Sequence, residues 1–250
     1  MNIQELAEYL DQYLNISAIT DYAGALNGLQ VENSGRVSRV AAAVDASEAS
    51  IREAIRRQCD VLLVHHGLFW DGNVPLTGRR YRRLRQLIAS DVAVYSAHLP
   101  LDVHPEVGNN VQLARAIGLA VEGSFAQQPS FDAGVWGVLE VTRETLAARL
   151  DDVLGVRVRL LPGGGEKLKR VGVITGGAGS MIQHAVAAGL DAFITGEGAH
   201  HTYFDAMESG INVYYGGHYA TETFGVRALA QHLEERVGIP WEFIDLPTGL

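Results

Sequence analysis

The feature that most restricts the fold of this chain is a regular exchange of short, continuous apolar runs with helical patterns. Val37 to Val44, Val61 to Val64 and Val92 to Tyr95 read as strands. A helical pattern from about Glu48 to Gln58 separates the first two, and another from about Arg79 to Ala89 leads into the third. Strands apolar on both faces, joined by helices, predict a mainly parallel sheet covered by helices. A first amphipathic helix precedes them, with Ile3, Leu6, Leu10 and Leu14 at helical spacing, and Gly24-Ala25-Leu26-Asn27-Gly28 reads as a loop.

The alternation lapses between about Gly123 and Asp132, where Gln127-Gln128-Pro129-Ser130 has no apolar period. A domain boundary is expected there. A second αβ series follows. It has a helix near Glu144 to Leu154, strands at Val171 to Thr175, Ala192 to Thr195 and Asn212 to Tyr215, and helices from about Ser180 and around Tyr203 to Glu208. A last helix from about Thr221 to Glu235 precedes Trp241 to Ile244. The expected class is α/β with two domains, the first discontinuous (1–123 plus 220–250) and the second 124–219.

Composition narrows the chemistry. One cysteine, Cys59, permits neither an internal disulfide nor a cysteine-based metal cluster, so any metal must rest on the nine histidines and on carboxylates. Lys167 and Lys169 are the only lysines, which leaves few candidates for Schiff-base chemistry. A formal charge of −9 opposes a generally basic nucleic-acid binder. The N-terminal residues lack the charged and apolar regions of a signal peptide, and no apolar run approaches the ~20 residues of a membrane span. The expected location is the cytoplasm.

Reactive residues gather at strand ends, where open α/β sheets bind ligands. Asp45, His65-His66, His98 with Asp102, Thr175-Gly176-Gly177, Glu197, and His218 with Glu222 all fall there. In Leu62-Leu63-Val64-His65-His66-Gly67 an apolar strand runs into two imidazoles. Neighbours on a strand point to opposite faces, so both serve one locus only if the chain bends or each faces its own ion of a close pair. His218 and Glu222 share a side through four-residue spacing. Three histidines with Asp102 and Glu222 exceed the ligands of one tetrahedral ion and suit a dinuclear site; His98 is a candidate to orient a ligand or substrate. His184 and His232 read as surface or satisfied helix residues, and His104 and His200-His201 as loop residues. The turn Thr175-Gly176-Gly177-Ala178-Gly179-Ser180 is either an anion cradle or a tight connection. Arg79, Arg80, Arg82, Arg83 and Arg85 are either a solvated helix face or a nucleic-acid contact.

Several segments together resemble the NIF-three-like family, hexameric dinuclear-metal-centre proteins often labelled GTP cyclohydrolase 1 type 2 homologs, and most of all its bacterial YbgI-type members. They are Leu63-Val64-His65-His66-Gly67-Leu68-Phe69-Trp70, His98-Leu99-Pro100-Leu101-Asp102, Gly108-Asn109-Asn110, Ile194-Thr195-Gly196-Glu197 and Gly217-His218-Tyr219-Ala220-Thr221-Glu222. The likeness runs from Asp21-Tyr22-Ala23 and Asn27-Gly28-Leu29-Gln30 to Phe243-Ile244-Asp245. It implies two interlocked α/β domains with mainly parallel mixed sheets, a toroidal homohexamer, and two divalent ions on His65, His66, Asp102, His218 and Glu222, with Glu222 as bridge. The imidazole and carboxylate ligands suit Zn, Mn, Fe or Ni. Where family members commonly read Asp-Tyr-Ala-Pro-Asn-Gly, this chain has Gly24-Ala25-Leu26 in place of the proline, which implies an altered approach to the site. The expected activity is hydrolysis of a nucleotide or another anionic, phosphorylated small molecule by a metal-activated water, with Glu197 or His98 moving protons or orienting the water. The alternatives are a metal-binding ring that binds or processes nucleic acid, and a non-catalytic metal-binding scaffold.

Overall fold

The structure, a computed structural model, describes all 250 residues. In chain order the elements are α1 (Ile3–Tyr13), β1 (Gly28–Val31), β2 (Val40–Asp45), α2 (Glu48–Arg56), β3 (Val61–His66), α3 (Gly78–Ala89), β4 (Ala93–Ser96), α4 (Leu99–Asp102), α5 (Asn109–Ala116), β5 (Ala120–Gln127), β6 (Asp132–Thr142) and α6 (Arg143–Leu154). They continue with β7 (Arg159–Pro162), β8 (Lys167–Val173), α7 (Ile182–Ala187), β9 (Ala192–Thr195), α8 (Thr202–Ser209), β10 (Asn212–Tyr215), α9 (His218–Thr221), α10 (Thr223–Val237) and β11 (Trp241–Phe243). No helix is long and apolar enough to cross a membrane.

The chain divides into two compact units, Met1–Leu101 with Gly225–Leu246, and Asp102–Phe224 with Pro247–Leu250. The crossings thus lie at 101/102 and 224/225, whereas the lapse in apolar period suggested a boundary near 123. That lapse is a hairpin: Gln128 N–H donates to the Phe131 carbonyl at 2.7 Å, and β5 pairs antiparallel with β6 across it. A polar hairpin tip loses its apolar period just as an interdomain linker does.

The first unit holds a five-stranded sheet ordered β1-β4-β3-β2-β11, parallel except for β1. β1 begins at Gly28, within the stretch expected to be loop. Ala41, Ala43, Leu62, Val64 and Val94 line one face with Ile51 of α2 and Leu87 of α3. Alternate residues Val40, Ala42, Leu63 and Tyr95 are also buried, so both faces of the sheet are covered. On that side the Tyr95 hydroxyl donates to Asp11 of α1 at 2.7 Å. Tyr9 and His232 are 2.6 Å apart, and Tyr13 stacks on His232 with centroids 4.0 Å apart, which joins α1 to α10. His232 is a packing residue, as expected of a satisfied helix residue.

The second unit holds a six-stranded mixed sheet, β5-β6-β8-β9-β10-β7, whose β8, β9 and β10 run parallel. Its two faces carry separate cores. Leu113, Leu146, Leu150, Val171, Ala192 and Tyr214 fill one; Phe125, Ile182, Ala185, Phe193, Ala206 and Val213 fill the other, against α7 and α8. Each sheet therefore has three central parallel strands, and their carboxyl ends are those of β2, β3 and β4 in one unit and of β8, β9 and β10 in the other. These are the edges at which the candidate residues lie.

The lone thiol belongs to the first core: Cys59 is 3% exposed, and burial above all, with the Glu242 charge adding, pushes its pKa up to about 11. The folded chain therefore holds this proton more tightly than the unfolded chain does. The contribution to stability is complete below the free-thiol range near ~8.5 and is lost as pH rises toward about 11. Folded protein is expected to resist iodoacetamide at pH ~8 and to label rapidly once unfolded in urea, read by intact mass; equal rates would contradict this placement.

Candidate metal centre

In the first unit, β3 delivers His65 and His66 at its last two positions. His65 is fully buried, and its Nδ1 lies 2.9 Å from the carbonyl oxygen of Ala97. A carbonyl only accepts, so Nδ1 carries the proton and Nε2 presents its lone pair. His66 repeats the arrangement against a carboxylate: Nδ1 is 2.9 Å from Oδ1 of Asp45, its register partner on β2. His98, just past β4, lies 2.9 and 3.1 Å through Nδ1 from the two oxygens of Asp21.

The three rings converge, with centroids 4.6 Å (His65–His66), 5.0 Å (His65–His98) and 5.7 Å (His66–His98) apart. One ligand atom from each lies within 4.8 Å of the others. The adjacent imidazoles of β3 thus serve one locus, and His98 joins them in a group able to hold an ion.

Asp21 is a residue that motif spacing does not reveal. Burial alone raises its pKa. The bond to His98 and the donors Asn27 Nδ2 (2.8 Å) and Tyr22 N–H (2.6 Å) outweigh that and hold the carboxyl below its ordinary range; Leu99 N–H donates at 3.0 Å. The neighbouring loop is tied to the same place. Asn27 accepts from the His98 N–H at 2.7 Å. Gln30 donates to the carbonyls of Ala25 and Leu26, both at 3.0 Å, and accepts from Leu68 N–H at 2.7 Å. A Cβ on Gly67 would stand 2.2 Å from the Gln30 amide and would push it from the bonds it makes where the strand leaves the site. Residues 24–26 are therefore anchored to the exit of β3, and Asn27 keeps its contacts.

In the second unit Asp102 and Glu222 are 8% and 2% exposed. Asp102 accepts through Oδ1 from Asn109 Nδ2 at 2.8 Å and from the Thr175 hydroxyl at 3.3 Å. The Thr175 N–H is itself held by Asn110 at 2.8 Å. His218 stands between two carboxylates, with Nδ1 2.8 Å from Glu197 Oε1 and Nε2 3.2 Å from Glu222 Oε2. The bond to Glu222 is the largest influence on this imidazole and outweighs burial; with Glu197 adding, its pKa is pushed up to about 9.

Gly176 has φ +69°, and a Cβ there would lie 2.1 Å from Glu222 Oε1. The glycine-rich turn after β8 is thus a tight connection whose Thr175 hydroxyl holds Asp102 and whose next residue makes room for Glu222. Beside it a cleft of about 370 Å³ is lined by Gly177, Ser180, Glu197, His201 and Thr202.

Four imidazoles, His65, His66, His98 and His218, each engage an acceptor through Nδ1, the arrangement that directs Nε2 to a metal. Buried carboxylates such as Asp102 and Glu222 call for cationic compensation. Both observations fit divalent metal. The structure brings His65, His66 and His98 together in one unit, and His218, Glu222 and Glu197 in the other, where Asp102 is linked to them through Thr175-Gly176.

The remaining histidines have local duties or solvent. His104 Nδ1 accepts from the N–H groups of Glu106 and Val107, both at 3.2 Å, His184 and His201 are exposed, and His200 meets Phe204 edge-on. Of the arginine run, Arg79 grips Asp71, Arg80 donates to the carbonyls of Gly72 and Val74, and Arg82 grips Glu48. Much of that charge is engaged within the chain.

Comparison with known proteins agrees with this architecture. Residues 1–248 match the family Duf34/NIF3 (NGG1p interacting factor 3). A Deinococcus radiodurans protein named GTP cyclohydrolase 1 type 2 homolog is 43% identical over 248 residues, covering 98% of this chain and 94% of its own. The solved structure of a ybgI protein of unknown function superposes with a TM-score of 0.94 at 40% identity, with both chains fully covered. The crystal structure of TTHA1606 from Thermus thermophilus gives 0.90 at 42% identity, again over both whole chains. The chain belongs to the Duf34/NIF3 family.

Proposed function

We propose that the protein is a cytoplasmic, homohexameric, metal-dependent hydrolase of a nucleotide or another phosphorylated small molecule, with two divalent ions on His65, His66, Asp102, His218 and Glu222. The observation that carries this reading is the shared Nδ1 anchoring of the imidazoles, which a set of merely structural histidines does not require. In sequence the chain leaves the first unit immediately before Asp102 and returns to it just after Phe224, two residues beyond Glu222, so both crossings adjoin proposed ligands.

When bound, divalent cations supply Lewis acidity and bring the pKa of water toward ~7. Two such cations against two carboxylates leave the ligand set net cationic, which favours an anionic substrate. His98, oriented by Asp21, offers Nε2 to take or return a proton. Glu197 orients His218 through Oε1 and forms part of the wall of the neighbouring cleft, where it meets whatever enters. Mixed imidazole and carboxylate ligands accept Zn, Mn, Fe or Ni. The engagement of Arg79, Arg80 and Arg82 within the chain weighs against the nucleic-acid ring.

The name of the D. radiodurans relative makes GTP the first substrate to try. Metal-replete protein is expected to convert GTP or another phosphorylated nucleotide to product by chromatography, and His65→Ala to abolish turnover together with metal content. Absence of product across such nucleotides with each of the four metals would overturn the nucleotide-hydrolase reading.

Asp45→Asn, which weakens the acceptor behind His66, is expected to lower metal affinity about 10–100-fold, read by competition with a chelating dye. An unchanged affinity would remove His66 from the ligand set. The His218 imidazolium must also lose its proton before Nε2 can bind metal. Because that proton is held up to about 9, apparent affinity should rise with pH through the neutral range and level off above about 9. Calorimetry in two buffers of different ionisation heat should show proton release on metal binding at neutral pH.

A further inference from the structure

Tyrosine and tryptophan are normally part-buried, and two of them stand open to solvent at the loop edge that carries the imidazoles of the first unit. Tyr22 is 70% and Trp70 39% exposed. Trp70 meets His98 edge-on with centroids 4.9 Å apart and His66 at 5.9 Å, while Tyr22 is 6.1 Å from His98. The two aromatic rings are therefore neighbours of the same imidazole.

Both are set on braced backbone. The Tyr22 N–H donates to Asp21 at 2.6 Å, and Ala25 N–H closes a turn onto the Tyr22 carbonyl at 2.9 Å. Beyond Trp70, Gly72 N–H closes a turn onto the Phe69 carbonyl at 2.8 Å. Arg79 grips Asp71 at 2.8 and 2.9 Å; Arg80 donates to the carbonyls of Gly72 and Val74 at 2.9 and 3.0 Å and lies over the Phe69 ring. The two loops also touch, since a Cβ on Gly24 would come within 2.9 Å of the Trp70 carbonyl oxygen. The loop of residues 24–26 and part of the arginine run thus act together, holding two exposed rings beside the imidazoles.

We propose that Tyr22 and Trp70 form a stacking subsite for a planar aromatic heterocycle, the ring of the molecule whose reacting group is held at His65 and His66. This rests on the metal-centre reading and narrows its substrate class to molecules bearing such a ring. Aromatic side chains bind flat rings through their faces, with little preference among heterocycles. Rings carried on a braced backbone lose less freedom when a ligand arrives than rings on a mobile loop. A bare phosphate or a sugar phosphate has no use for them.

Calorimetry on the full-length, metal-replete protein tests this with adenosine, ribose 5-phosphate and inorganic phosphate as probes. Adenosine is expected to bind, and Tyr22→Ala and Trp70→Ala each to weaken it on the order of tenfold or more. Tyr22→Phe and Trp70→Phe, which keep a ring, should stay within about threefold. Metal content and ribose 5-phosphate affinity should be the same in all four variants, which separates a lost subsite from a lost fold. Adenosine affinity indifferent to both alanine changes, or binding of ribose 5-phosphate without adenosine, overturns the proposal. So does an alanine variant that changes only the oligomeric mass, which would make the rings a contact between copies. If wild-type protein takes up no metal while adenosine still binds through both rings, the metal-centre reading falls and the subsite stands.

Discussion

The site depends on one kind of contact, a hydrogen bond that commits the Nδ1 of an imidazole to an acceptor and turns Nε2 outward. Ala97 does this for His65 with a carbonyl, Asp45 for His66 and Asp21 for His98 with carboxylates, and Glu197 for His218. The parallel sheets make the arrangement available. Adjacent parallel strands end side by side, so the acceptor for a histidine at one strand end comes from the next strand or from the loop just beyond it. Asp45 faces His66 across β2 and β3, and Ala97 follows β4 beside β3. The apolar runs and their helices thus orient His65, His66 and His218 before any ligand binds, and the loop before β1 brings Asp21 to His98.

Glycine has a narrow part in this. Gly67 lets the chain leave β3 over the Gln30 amide, and Gly176, with a positive φ, leaves room for the Glu222 carboxylate. A side chain at either position would displace a group that the site uses. The turn at Thr175-Gly176 is explained on these terms without an anion, because Thr175 holds Asp102 and Gly176 admits Glu222.

Much of this is legible in the sequence, for physical reasons that differ between elements. Strands β2, β3 and β4 are buried on both faces and therefore read as unbroken apolar runs, and the residues that follow them are chemically conspicuous. β5 and β6 escape such a reading because they pair as a hairpin with many part-exposed residues and a polar tip, a pattern shared with a linker. The same ambiguity displaces the expected boundary from 101/102 to 123. His65, His66, His98, Asp102, His218 and Glu222 announce themselves by type and position. Thr175 stands out by position but not by its part in holding Asp102, and Asp21 does not stand out at all, since an orienting residue is defined by what it touches: Asp21 lies 77 positions from His98, and no spacing rule spans that gap. The arginine run of α3 is legible as charge but not as purpose, because its partners Asp71, Gly72 and Val74 belong to a loop outside the helix.

The central claim is that His65, His66 and His218 present Nε2 to metal while Nδ1 stays on its protein acceptor. Anomalous diffraction from metal-loaded crystals tests it directly. The account predicts two peaks per chain, with His65, His66 and His218 bound through Nε2 at about 2.0–2.2 Å, and with the Ala97, Asp45 and Glu197 contacts retained. Metal on Nδ1 with those contacts broken, or peaks remote from all three rings, would contradict it.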